Sequence, residues 1–304
     1  MLGLLAVSTP AAQAQDSSGQ PTRVEDVVVE GRRVEDRVAR FVEEAAAPSH
    51  DRGLARWRGT VCVGVVNLAP EVAQGIVDRI TDVMTPLGLE PGRPGCRAEV
   101  VIVFAADGQA LAAELAEDHR RAFRSGIAGL DRGNQALDAF VASDRPIRWW
   151  HVSMPVDSET GSRATRLSGD TDMLGNPVSP EIRTMASRLT SQIRDDLIKT
   201  LVIVDIDEIG DLSGLQLADY LAFVSLAQID LAGSYRGYDS VLAVFDDPSA
   251  APDGLTDWDL SYLFSLYEAL DRPQGRRNPG AATTGAVADE MTRRRLSAPA
   301  DEDE

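Results

Sequence analysis

Apolar positions along the chain change period several times, and each change predicts an element. Val34, Val38, Phe41, Val42 and Ala45 recur at helical spacing, and Pro48 ends that helix. "GTVCVGVVNL" alternates Val61, Val63 and Val65 against Cys62 and Gly64, the pattern of a strand covered on both faces. "APEVAQGIVDRITDVMTPLGL" then predicts an amphipathic helix. Pro70 suits its first turn, Val72, Ile76, Ile80 and Val83/Met84 form its stripe, and Pro86 and Gly88 stop it. "AEVVIVFAAD" is a second buried strand, followed by helices over "GQALAAELAEDHRRAF" and "NQALDAFVA". "IRWWHVSMPVD" alternates again after Pro146 and predicts a third strand. Residues 156–180, rich in Ser, Thr, Gly, Asp and Pro, predict a long loop, and "SRLTSQI" and "TLVIVDID" predict a strand pair around "RDDLIK".

The next helix, "SGLQLADYLAFVSLAQID" from Ser213 to Asp230, is apolar almost all round. An irregular stretch leads to "TDWDLSYLFSLYEAL", where Thr256 is a good N-cap, Asp257 and Asp259 suit the first turn, and Leu260, Leu263, Phe264 and Tyr267 form the expected inner face. From Pro273 the chain turns Gly/Ala/Thr-rich, then basic, then acidic, which predicts disorder over residues 273–304. The order of elements predicts one α+β domain over residues 34–272, a mixed twisted sheet with packed helices, after a flexible linker at 15–33. A dinucleotide-binding fold is disfavoured, because no Gly-rich turn follows the first strand.

Charge narrows the partners. With 30 Lys+Arg against 48 Asp+Glu the formal net charge is −18, which argues against sequence-independent nucleic-acid binding and against docking on an anionic membrane surface. "MLGLLAVSTPAAQAQ" has a short apolar run and the small-x-small triplet Ala12-Gln13-Ala14, so residues 1–14 are expected to be a signal peptide, though a basic n-region is missing. The mature chain is then periplasmic or secreted. No later stretch reaches the roughly 18 apolar residues of a membrane helix. In an exported chain, the even pair Cys62 and Cys96, each beside a predicted strand, suggests one disulfide, with two free thiols as the alternative.

The segment from Leu217 to Leu270 resembles the C-terminal half of a metzincin-type zinc metallopeptidase. That family runs from a strand to a helix bearing HExxHxxGxxH, a turn with a buried Met, and a last helix often introduced by "LTxxD". This chain has "LADYLAFVSLAQI", then "YDSVLAVF" with Leu242 at the Met position, then "GLTDWDLSYLFSLYEA". The resemblance could extend over residues 60–270 and implies a metzincin-like fold. It breaks at the chemistry. Zinc needs imidazole, thiolate or carboxylate ligands, and a Glu beside the first supplies the general base. Laid on the motif, the first His becomes Asp219, the Glu becomes Tyr220, the second His becomes Phe223 and the third falls at Ile229. Only Asp219 could coordinate. The reading is a packing helix with no metal, no cofactor and no catalytic residues, and Phe223 filling the emptied site. Asp219 should face either water in a residual cleft or a basic partner such as an Arg.

The remaining candidate residues have plainer readings. His151, after Trp149 and Trp150, could face a groove together with Asp219, Tyr220 and Phe223; a satisfied core or surface imidazole is the plainer reading. His50 and His119 stand far from it in sequence. Asp205, Asp207, Glu208 and Asp211 could hold Ca²⁺, but the run lacks EF-hand spacing and reads more simply as a strand-end charge cluster. There is no G-x-S-x-G elbow. Trp149, Trp150 and Trp258 suit a cleft or a core equally. "EDVVVEGRR" resembles the N-terminal segment of TonB-dependent receptors, which would bind by strand addition; a β-prone linker patch is the plainer reading. The leading expectation is an exported, non-catalytic protein binding an envelope protein or peptide. The alternatives are a hydrolase with an unrecognised site and a TonB-coupled accessory protein using residues 24–33. Oligomeric state is not legible.

Overall fold

The structure, a computed structural model, describes residues 24–123, 132–165, 191–273 and 278–297. In chain order the elements are α1 (Val24–Ala45), β1 (Ala55–Arg56), β2 (Thr60–Val61), β3 (Val63–Val66), α2 (Pro70–Met84), β4 (Glu90–Pro91), β5 (Val100–Ala105), α3 (Gly108–Asp118), α4 (Arg120–Phe123) and α5 (Gly133–Ala142). They continue with β6 (Ile147–Asp157), β7 (Ile193–Asp205), α6 (Gly214–Leu226), α7 (Asp257–Ala269) and α8 (Pro279–Ser297). This is the expected α+β class, with a mostly parallel sheet. β3, β5 and β7 pair in parallel, and β1 adds a short parallel rung to the start of β7 at Asp195 and Asp196. β6 closes the other side of β7 as an antiparallel edge strand, with its register shifting between Val152 and Ser153.

Alternation along β6 sorts the layers. Trp149 points to α6, its ring centroid 6.0 Å from that of Tyr220, while Trp150 packs against Phe123 and Phe140 of α4 and α5 on the opposite face. Both tryptophans are anchors, 1% and 3% exposed, and each indole N–H donates to a backbone carbonyl, that of Ile229 for Trp149 and that of Phe123 for Trp150. Cys62 and Cys96 form a disulfide with Cα atoms 6.1 Å apart, which ties the 91–99 loop to the start of β3. Among the described residues no helix is long and apolar enough to cross a membrane.

Several local expectations are corrected. α1 begins at Val24, so residues 24–33 of the expected linker are helical, and a helical backbone cannot add as a strand to a partner's sheet. The expected strand pair around "RDDLIK" is one strand, β7, because β6 pairs with it along its length; residues 187–190 of that expectation lie outside the described residues, as do 1–14. On α2, Ile76, Ile80, Val83 and Met84 are buried as expected, but Val72 is 55% exposed. α7 buries Trp258, Tyr262, Leu263, Leu266 and Tyr267, a wider face than the stripe predicted, and Leu260 and Phe264 are only half-buried.

The largest correction is α8, inside the stretch expected to be disordered. Val287 and Met291, one turn apart, are fully buried, and Thr283 Oγ1 accepts the Leu54 N–H at 2.9 Å. Glu290, 5% exposed, is paired with Arg272 at 3.0 Å and with Arg293. Arg294 and Arg295 lie over the rings of Phe264 and Trp258 at 5.3 and 5.6 Å. A helix of Gly, Ala and Thr can approach its neighbours closely, so two large apolar side chains suffice to seat it. Composition alone hides such a helix.

Candidate functional site

α6 is fixed at its start by a capping box: Ser213 Oγ accepts the Gln216 N–H at 3.1 Å, and Gln216 Oε1 accepts the Ser213 N–H at 3.0 Å. It ends at Leu226, and every residue from Ala218 to Leu226 is buried. Asp219, 1% exposed, takes the second of its two expected settings. Arg79 of α2 grips it with Nε to Oδ1 at 2.5 Å and Nη2 to Oδ2 at 3.2 Å, and Oδ2 also accepts the Leu255 N–H at 2.8 Å. Gly254 is needed there, because a methyl group at its Cβ position would collide with the Asp219 carboxylate. Asp219→Ala should cost about 2 kcal/mol in chemical denaturation. It orphans the Leu255 amide, but Arg79, still partly exposed, keeps access to water.

Phe223 is fully buried, stacked on Tyr262 of α7 with centroids 5.7 Å apart, and Ile229 is fully buried as well. Tyr220 is fully buried beside Phe245 and the Arg145 guanidinium, and burial drives its hydroxyl pKa upward. His151 reaches α6 from β6, with Nε2 2.8 Å from the Val224 carbonyl. Of the four residues expected to line a groove, Tyr220 and His151 lie where α6 packs on β6, whereas Asp219 faces α2 and Phe223 faces α7. All four are buried, none more than 4% exposed.

An open cleft lies elsewhere, about 710 Å³, between α5, the free edge of β6, residues 48–50 and the turn at 230–232. Trp149, Trp150 and Phe140 lie at its apolar base, all almost fully buried. Arg132 is paired with Asp230 at 3.2 Å on one wall. Arg145 is held by Asp246 at 3.2 Å and by the Gly233 carbonyl at 2.5 Å on the other, its guanidinium 5.7 Å from the Tyr235 ring. His50 stands at the rim, exposed and paired with Asp51. Two neutralised ion pairs above an apolar floor suit binding. No residue lining the cleft presents a nucleophile paired with a general base. Sequence reasoning missed the cleft because its walls come from four segments, none carrying a motif. Only the Trp149-Trp150 pair signalled it.

The acidic run does not converge on an ion. Asp205 is buried and caps α3 by accepting the Gly108 N–H at 2.7 Å, while Asp207, Glu208 and Asp211 are exposed. Among the described residues no group of three or more His, Cys, Asp or Glu side chains is placed to hold a metal ion.

Two buried titrating groups oppose each other. Burial lowers the His151 pKa to about 4, against the Val224 hydrogen bond that favours its charged form. Burial raises the Asp259 carboxyl to about 7, against the donors Ser240 Oγ, Thr256 Oγ1 and the Val241 and Thr256 amides. The His151 contribution is complete above pH 6.5 and lost as pH falls toward 4. The Asp259 contribution is complete below about pH 4 and lost as pH rises toward 7. Each slope approaches about 1.4 kcal/mol per pH unit and the two have opposite sign, so the His151 and Asp259 contributions nearly cancel between them. Relative to the native chain, Asp259→Asn should lose stability on acidification from pH 6.5, and His151→Gln should gain it; urea melts of all three at half-unit intervals read both.

The chain matches no protein-family model, no curated protein and no solved structure.

Proposed function

We propose that the chain is an exported, non-catalytic binding protein on a metallopeptidase-like scaffold, holding an envelope protein or peptide in the cleft beside β6. The carrying observation is the fate of the three positions where the motif would place zinc ligands. Asp219 is consumed by Arg79 and Leu255, Phe223 is stacked in the core, and Ile229 is buried. A divalent ion has no cluster of donors there. The layout favours the scaffold assignment: an antiparallel edge strand, a parallel strand, then α6, a turn at Ser240–Leu242 tied to Asp259, and α7 with its Thr256 capping box. The disulfide favours the oxidising compartment.

Metal analysis of the purified full chain separates this reading from a metallohydrolase. Substoichiometric zinc is expected, unchanged in Asp219→Ala. One equivalent of zinc, lost in that variant, would sink the proposal. Binding through the cleft is read by Arg132→Ala, which should weaken capture of the envelope partner while leaving the melting temperature within a few degrees, because its pair with Asp230 is partly exposed.

A further inference from the structure

Seven large apolar side chains are exposed among the described residues, and four of them belong to one end of the molecule: Val66 (44%), Val72 (55%), Ile206 (47%) and Leu215 (52%). Val66 closes β3, and Ile206 follows β7 directly. Val72 and Leu215 sit in the first turns of α2 and α6. β3 and β7 run parallel in one sheet, α2 and α6 depart from their carboxyl ends, and the Arg79–Asp219 pair holds the two helices side by side. The topology thus gathers the four residues at the carboxyl-terminal end of the sheet.

The surroundings are acidic. Glu71, Asp107, Asp207, Glu208, Asp211 and Asp253 are all exposed on the segments that form this end. Between Asn67 and Gly92 the only basic residue is Arg79, already taken by Asp219, and residues 98–118 and 200–235 hold neither Lys nor Arg. Among the described residues Asp107 lies near the buried Arg148, and the other five carboxylates of the rim form no ion pair; an apolar centre inside such a rim selects its occupant by charge. A second copy would set one acidic rim against another, and an anionic lipid surface would be repelled.

We propose that this end docks a cationic amphipathic segment of a partner protein, with its apolar side chains on Val66, Val72, Ile206 and Leu215 and its Lys and Arg side chains against the rim. The inference deepens the binding role above and rests on it for the existence of a partner. Its surface is distinct from the cleft, so the two fail separately.

The test is fluorescence anisotropy with the full chain and a labelled helical peptide of Leu and Lys at amphipathic spacing. Binding should weaken steeply with added salt. The triple variant Val72→Ser, Ile206→Ser, Leu215→Ser keeps the net charge and should bind at least about tenfold more weakly, since each lost apolar contact removes buried area. Asp207→Asn, Glu208→Gln, Asp211→Asn should weaken binding and flatten its salt dependence. It carries the test should the serine variant fold poorly, which its melting temperature reports. Equal binding by the native chain and a folded serine variant would mean diffuse attraction to an acidic protein and overturn the proposal. So would concentration-dependent self-association that the serine variant abolishes, which would assign the surface to a second copy.

Discussion

Phe223→Ala will lower the unfolding free energy by about 3–5 kcal/mol, the range for truncating a core aromatic. The side chain has no exposed surface, lies in the stretch of α6 where every residue is buried, and stacks on Tyr262, which in turn meets Phe41 edge-on at 5.5 Å. α1, α6 and α7 meet through these three rings, so a cavity there loosens three helices at once. Part of the loss is transfer free energy and part is the void, because neighbours anchored on separate helices relax only partly. Phe223→Leu should recover most of the stability. A neutral Phe223→Ala in urea denaturation would mean that this face of α6 is solvated, and the scaffold reading, which depends on that face pointing inward, would fall with it.

Truncation after Arg272 will cost a comparable amount, about 3–5 kcal/mol. Val287 and Met291 are fully buried, and burial of each is worth about 1.5–3 kcal/mol. The Leu54 amide loses the Thr283 hydroxyl that satisfies it. Arg294 and Arg295 uncover Phe264 and Trp258. The entropy of ordering the helix offsets part of this, so the measured loss falls below the gross sum. The melting temperature should drop by about 5–15 °C for a domain of this size. A truncated chain that melts with the full one would show that α8 is dispensable. Limited proteolysis gives an independent reading: the tail should resist cleavage at Arg293 and Arg294 until the domain opens.

Local order makes part of the fold legible in the sequence. The 3.6 period of Val38, Phe41, Val42 and Ala45 places one face of α1 in the core, and all four are buried. The Thr256 to Asp259 spacing fixes the start of α7, where a capping box forms. A period or a cap lies within one turn, so a short window contains the whole cause. The cysteines were legible for a related reason: each adjoins a strand-like run, and the two strands that follow them, β3 and β5, pair.

The site was less legible. Asp219 stood between two settings because its partner, Arg79, is 140 positions away, and an isolated window says nothing about which cation will arrive. The four residues expected to share a groove are all buried, but on different sides of α6: Tyr220 and His151 against β6, Asp219 against α2 and Phe223 against α7. Residue type could not distinguish a filled site from an open one.

Amphipathic period, helix caps and strand-flanking cysteines are therefore properties of the chain read in order, because each is decided by neighbours within a few residues. The outward turn of Val72, the continuity of β7, the seating of α8 on two apolar side chains and the cleft at the edge of β6 are not. Each depends on which distant surface covers which face: α2 meets α6 beyond Val72, β6 supplies the ladder that keeps β7 extended, and α1 and α7 offer α8 its seat. Burial is a relation between segments far apart along the chain, and only the folded arrangement settles it.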